Sequence, residues 1–257
     1  LPTLSPSLAM GAARMAQGGA LVRRLESGET LGSTTVICSD KTGTITTNQM
    51  TARAIVLSNH HYTATGSGYE PSGTILSEQG RPLTDEERAH VQPLMEAAAL
   101  CGDARVEQHE GRWGCVGDPT EGALLVLARK VGIEREVAER SRPRVREFPF
   151  ESERQRMSTV HLLPSGSHQV LAKGSPEAIL PLCKAVRVDS SAWPLTPEEE
   201  QRILADVDAL AVKGMRVLAL ARRELEGVLP ETARETEVEL EFLGLVGMAD
   251  PVRPEVP

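Results

Sequence analysis

The chain has 257 residues, enough for one large domain or two smaller ones that each bury a core. A net charge of −8 and a pI near 5.4 exclude the Lys/Arg-dominated surface on which duplex nucleic-acid binding rests, so no nucleic-acid partner is expected. The four cysteines, Cys38, Cys101, Cys115 and Cys183, lack C-x-x-C spacing and read as reduced thiols; no apolar run approaches the ~20 residues of a membrane span, no signal peptide is visible, and the chain is expected to be soluble.

The first predicted element is the β-branched run Thr34-Thr35-Val36-Ile37, which has the composition of a buried strand. Such a strand would deliver the carboxylate of Asp40 to its carboxyl end, where open α/β sheets place their chemistry. Asp40-Lys41-Thr42-Gly43-Thr44-Ile45-Thr46 then follows. A carboxylate there can attack a terminal phosphoryl group and form an acyl phosphate. Charge neutralisation is the main need of that reaction, and Lys41, the hydroxyls of Thr42 and Thr44, and the side-chain-free Gly43 suit it.

Further strands are predicted at Ala52 to Leu57, Met157 to Leu163, Gln169 to Ala172, Arg216 to Ala221 and Glu239 to Met248. Short turns such as Pro164-Ser165-Gly166-Ser167 favour an antiparallel sheet with helices packed on it, an α+β arrangement, and Gly66 to Gly73 reads as a loop. Helix starts stand out by their caps: Thr84-Asp85-Glu86-Glu87 and Thr196-Pro197-Glu198-Glu199 read as capping boxes. After the second, Ile203, Leu204, Val207, Leu210 and Ala211 share one face, and Gly214 offers a stop. In Gly117-Asp118-Pro119-Thr120-Glu121-Gly122, Asp118 caps, Pro119 starts and Glu121 completes a third box. Lys173-Gly174-Ser175-Pro176-Glu177 reads as a strand-to-helix turn. It carries one of only five lysines in a chain that otherwise uses Arg, a compact ammonium on a flexible stem where a planar guanidinium is the rule.

Asp40 to Thr46 resembles the phosphorylation signature of the P-type ATPases, cation pumps that pass through an aspartyl-phosphate, with Ile45 where Leu is more usual. The resemblance spans nearly the whole chain. Leu1-Pro2 and Ala9-Met10-Gly11 through Glu29-Thr30-Leu31-Gly32 look like the end of a membrane helix and its stalk, and Asn48-Gln49-Met50-Thr51 looks like the exit into a nucleotide-binding domain. The implied organisation is stalk at 1–28, first part of the phosphorylation domain at 29–48, nucleotide-binding domain at 49–249, and returning hinge at 250–257. The implied fold is an antiparallel sheet with flanking helices, inserted into an incomplete α/β haloacid-dehalogenase-like domain.

The resemblance also implies the site. Asp40 would be the nucleophile, with Lys41 and Thr42 beside it and Mg²⁺ on Asp40 and the Thr42 carbonyl. Thr120 and Glu121 would meet the adenine. Phe150, in Phe148-Pro149-Phe150-Glu151-Ser152-Glu153-Arg154-Gln155-Arg156, would stack on it. Lys173 and Gly174 would line the pocket, Arg216 would reach the phosphates, and Asp250 and Arg253 would contact nucleotide indirectly or fix the hinge. Gln155 stands where a Lys is usual; Arg154 or Arg156 could compensate, but neighbouring side chains on a strand point to opposite faces, and reduced nucleotide affinity is expected.

The family's later Gly-Asp-Gly-x-Asn-Asp, Thr-Gly-Asp and Thr-Gly-Glu segments do not occur in these 257 residues. The chain therefore reads as a cytoplasmic fragment of a larger membrane pump, at the cytoplasmic face of the cell membrane; Lys173-Gly174-Ser175-Pro176-Glu177 and Gly117-Asp118-Pro119-Thr120-Glu121 resemble the type II pumps, among which the calcium-pump-like bacterial branch is the first choice. Its partners would be ATP, a transported cation and the parent's remaining domains; alone it would bind nucleotide without turnover. The rival readings are a soluble haloacid-dehalogenase-type phosphatase, which normally carries a second Asp where Thr42 stands, and a nucleotide-binding module without chemistry of its own.

Overall fold

The computed structural model describes residues 4–24, 26–253 and 255–256, and the predicted stalk residues Leu1 and Pro2 lie outside them. Two compact units divide the chain, Leu1–Ile45 and Thr46–Pro257. The first holds α1 (Leu4–Gln17) and α2 (Glu26–Gly32). Gly19, at φ +84, ends α1 in a Schellman arrangement, with Ala20 N–H donating to Met15 O and Gly19 N–H to Ala16 O. No helix among the described residues is long and apolar enough to cross a membrane.

The strand expected at Thr34 to Ile37 does not form, and Val36 and Ile37 are 71% and 85% exposed. β-Branched residues favour a pleated surface only where a neighbouring strand satisfies their backbone groups, and among the described residues nothing pairs with this run.

In the second unit the strands are β1 (Thr51–Val56), β2 (His61–Ala64), β3 (Ile75–Leu76), β4 (Arg105–His109), β5 (Arg112–Val116), β6 (Arg144–Glu151), β7 (Arg156–Leu162), β8 (His168–Gly174), β9 (Cys183–Val188), β10 (Ser191–Pro194), β11 (Arg216–Leu225) and β12 (Leu240–Ala249). The helices are α3 (Asp85–Leu100), α4 (Pro119–Arg129), α5 (Arg135–Ser141), α6 (Pro176–Ile179), α7 (Pro197–Val212) and α8 (Ala233–Thr236). The main sheet runs β3-β2-β1-β12-β11-β8-β7-β6, with antiparallel neighbours throughout. The exception is β9, which pairs with β12 in parallel and with β10 in a hairpin.

Alternation along β11 builds two cores. Leu218 and Leu220 pack with α3 and α4, whereas Ala219 and Ala221 face Ile179 of α6 and Ile203, Val207 and Leu210 of α7. In β12 a register shift opposite Leu220 and Ala221 passes through Gly244, and it moves the chain from Phe242 in one core to Val246 in the other. The Thr84 capping box forms in full; Thr196 accepts from the Glu199 amide, and Gly214, at φ +74, ends α7. Of the predicted α7 face, Ala211 is exposed.

His161 lies fully inside, its Nδ1 3.0 Å from Arg142 O and its Nε2 2.9 Å from the Thr159 hydroxyl. A carbonyl only accepts, so Nδ1 carries the proton and Nε2 accepts from Thr159. Burial pushes its pKa down to about 4. The unfolded chain therefore binds this proton first as pH falls below the ordinary 6.5, and stability is lost between pH 6.5 and about 4, by about 3 kcal/mol. Urea unfolding midpoints measured across that window should fall more steeply in the parent chain than in His161→Gln.

Candidate nucleotide site

The α4 start is set by Asp118, whose Oδ1 accepts from the Thr120 amide (2.7 Å) and the Glu121 amide (3.2 Å), and by Pro119 in the first turn. Burial alone would raise the Asp118 carboxyl, but the hydrogen bonds to Thr120 and Glu121 outweigh it and hold the pKa below the usual range.

Glu121 does not complete the predicted capping box. Its Oε2 accepts instead from the amides of Asp103 (2.7 Å) and Ala104 (2.8 Å), and its Oε1 from Lys173 Nζ (2.8 Å). The competing partners lie on the loop before β4 and on β8, both remote in sequence, and they offer three donors where the cap offers one. The pair is buried, with side-chain exposures of 14% for Glu121 and 8% for Lys173. A carboxylate has about four acceptor sites and an ammonium three donors, so each partner keeps capacity for a ligand.

Thr120, Glu121, Phe150, Lys173, Gly174 and Arg216 line a single cavity of about 290 Å³. Its wall also holds Met157 and Leu218, which give it an apolar face. The two phenylalanines of the β6 segment divide the work. Phe148 packs with Val160, Val170 and Leu225, whereas Phe150 stays 56% exposed at the cavity. Gly174 is demanded by close approach, since a Cβ there would stand 2.5 Å from Gln155 O and 2.6 Å from Arg156 Cβ.

Gln155 lies in the turn between β6 and β7, at φ +52, and its side-chain oxygen accepts from Ser175 Oγ (3.2 Å). The turn breaks strand alternation, so Arg154 and Arg156 reach the same group. That group is Glu237, whose side chain has no exposure; it accepts from Arg154 Nη1 (2.8 and 2.9 Å), Arg156 Nε (2.7 Å) and Ser158 Oγ (2.8 Å). Neither arginine is a lining residue, and neither substitutes for the missing lysine. Nothing in the sequence singled out Glu237.

Asp250 and Arg253 are not cavity-lining residues. The Asp250 carboxylate accepts from the Thr46 hydroxyl, the Thr47 hydroxyl (3.5 Å) and the Gln49 amide (3.2 Å). Thr46 bridges Val252, and Thr47 N–H donates to Pro251 O, so the segments before β1 and after β12 are tied side by side. Asp40, Lys41 and Thr42 belong to the first unit. Asp40 is exposed and opens onto a turn at Lys41–Ile45, with Thr42 extended and Gly43 at φ +77.

The family described as P-type ATPase, cytoplasmic domain N, matches residues 90–255. The chain is 38% identical over 254 residues to the cation-transporting ATPase pma1 of Synechocystis, covering 97% of this chain and 28% of the relative. It is 41% identical over 256 residues to a probable cation-transporting ATPase F of Mycobacterium tuberculosis, covering 98% and 28%. Identity to a calcium-transporting ATPase of Bacillus subtilis is 34% over 250 residues, covering 97% and 28%. The chain thus spans about 28% of the length of these relatives. It belongs to the P-type ATPases and carries their cytoplasmic N domain.

Proposed function

We propose that the second unit binds the adenine nucleotide of a cation pump and that Asp40 receives the γ-phosphoryl group. The observation that carries this reading is convergence: six residues from four separate segments line one cavity. Phe150 offers a ring face for the base, Met157 and Leu218 an apolar bed, and the remaining acceptor capacity of Glu121 a partner for the exocyclic amine. Arg216 is exposed at the same cavity and can reach phosphate. Lys173 is already neutralised by Glu121 and Gln155 is uncharged, so few cations serve the phosphates and affinity is weak.

The exposed Asp40 carboxylate and the Thr42 carbonyl are hard oxygen donors of the kind Mg²⁺ takes while keeping several waters. When bound, the ion neutralises charge as the phosphoryl group arrives. Completing the cycle needs the further carboxylate segments that the 257 residues lack, so this stretch binds nucleotide without steady turnover. The intact pump would move a cation across the cell membrane from its cytoplasmic face, and the relatives named for calcium or cation transport favour the calcium-pump-like branch. Asp250 would act as a hinge tie. Thr42, where a phosphatase needs an acid and base, argues against the phosphatase alternative.

Calorimetric titration with ATP at millimolar levels tests the site. Phe150→Ala should weaken binding by roughly 5- to 150-fold, the range of base–aromatic stacking, without lowering the unfolding midpoint. Absence of both heat and chemical-shift change at Phe150, Lys173, Glu121 and Arg216 would sink the reading. Phosphate release that survives Asp40→Asn would show other chemistry.

A further inference from the structure

Three segments remote in sequence bring His60, His90 and Asp189 together away from the nucleotide cavity, none of them a lining residue there. His60 sits in the turn between β1 and β2, His90 on α3, and Asp189, at φ +51, in the turn between β9 and β10. Each offers one ligand atom, and these atoms lie within 4.8 Å of one another. His60 Nε2 is 3.0 Å and His90 Nδ1 3.8 Å from Asp189 Oδ1, and the two imidazoles stack with centroids 5.6 Å apart.

A hydrogen bond that stitches two turns would account for His60 and Asp189. It leaves His90 unexplained: its side chain is only 12% exposed, and its Nδ1 is buried without a hydrogen-bond partner among the described residues. A buried imidazole nitrogen aimed at a carboxylate and beside a second imidazole is matched by a metal ion.

We propose that His60, His90 and Asp189 form a site for a borderline divalent transition metal, with Zn²⁺ the best fit. Imidazole donors select such ions over Mg²⁺ or Ca²⁺. Bonds of 2.0–2.1 Å in a tetrahedron put ligand atoms about 3.3 Å apart, inside the observed spread. Three protein ligands leave a fourth position for water, and the bound ion ties the two turns to α3.

Co²⁺ titration of the untagged 257-residue chain, followed by visible absorption, with Zn²⁺ as competitor, tests the site. The expected result is a tetrahedral Co²⁺ spectrum without the near-ultraviolet thiolate band, displaced by Zn²⁺, and a rise in melting temperature with Zn²⁺. His60→Ala and Asp189→Asn should each weaken binding by more than tenfold, since even outer-shell changes cost 10–100-fold. Asn tolerates the left-handed turn, so Asp189→Asn keeps the hairpin, and an unchanged metal-free urea midpoint confirms the fold. Absence of a tetrahedral spectrum at millimolar Co²⁺, a thiolate band, or affinity retained within tenfold in both variants would overturn the proposal.

Discussion

Glu237→Ala is expected to lower stability by about 3–5 kcal/mol, the cost of removing one partner from a buried charge cluster. The fully buried carboxylate takes four hydrogen bonds, two from Arg154 and one each from Arg156 and Ser158. Alanine would leave two largely buried guanidinium groups facing a hole, although Arg154 also pairs with Glu151 at the surface, which limits the loss. Glu237→Gln keeps the shape and part of the bonding and should cost about 1–3 kcal/mol. Urea midpoints should therefore fall in the order parent, Gln, Ala. The two arginines flank Gln155, which lines the cavity in the turn just after Phe150, so nucleotide affinity should follow the same order. A loss below 1 kcal/mol for the alanine variant would mean that the arginines simply rehydrate.

Glu237 marks the limit of what the sequence disclosed. Periodicity located β7, β8, β11 and β12 within a residue or a few, because their alternation is imposed locally by two buried faces. The caps at Thr84 and Thr196 were legible because their partners sit three residues away. Partnerships across the fold left no such trace. Glu121 had the spacing of a capping box but found stronger donors at Asp103, Ala104 and Lys173. The β4–β5 hairpin escaped notice because Arg105–His109 is mostly exposed and polar, and its turn uses Glu110 and Gly111 at positive φ rather than Asn-Gly. The opposite error arose at Thr34 to Ile37, where strand composition had no partner strand among the described residues.

The Glu121–Lys173 pair offers the sharpest separation of structure from binding. Glu121→Ala should cost about 3–5 kcal/mol, because it strands the Lys173 ammonium and also leaves the Asp103 and Ala104 amides without their acceptor. Lys173→Met should cost less, since Glu121 keeps both amides. Combining Lys173→Met with Glu121→Gln removes both charges while the glutamine oxygen still accepts from the loop, so stability should return to within about 1 kcal/mol of the parent, with a coupling energy of roughly 0.5–3 kcal/mol. ATP affinity should not return with it. On the proposed site, the neutral pair would offer adenine a weaker acceptor and no cation, and calorimetry should show at least a tenfold loss in a protein whose urea midpoint is nearly that of the parent. If the double variant bound ATP as the parent does, the pair would be a buried strut of the fold, and the nucleotide site would have to rest on Phe150 and Arg216 alone.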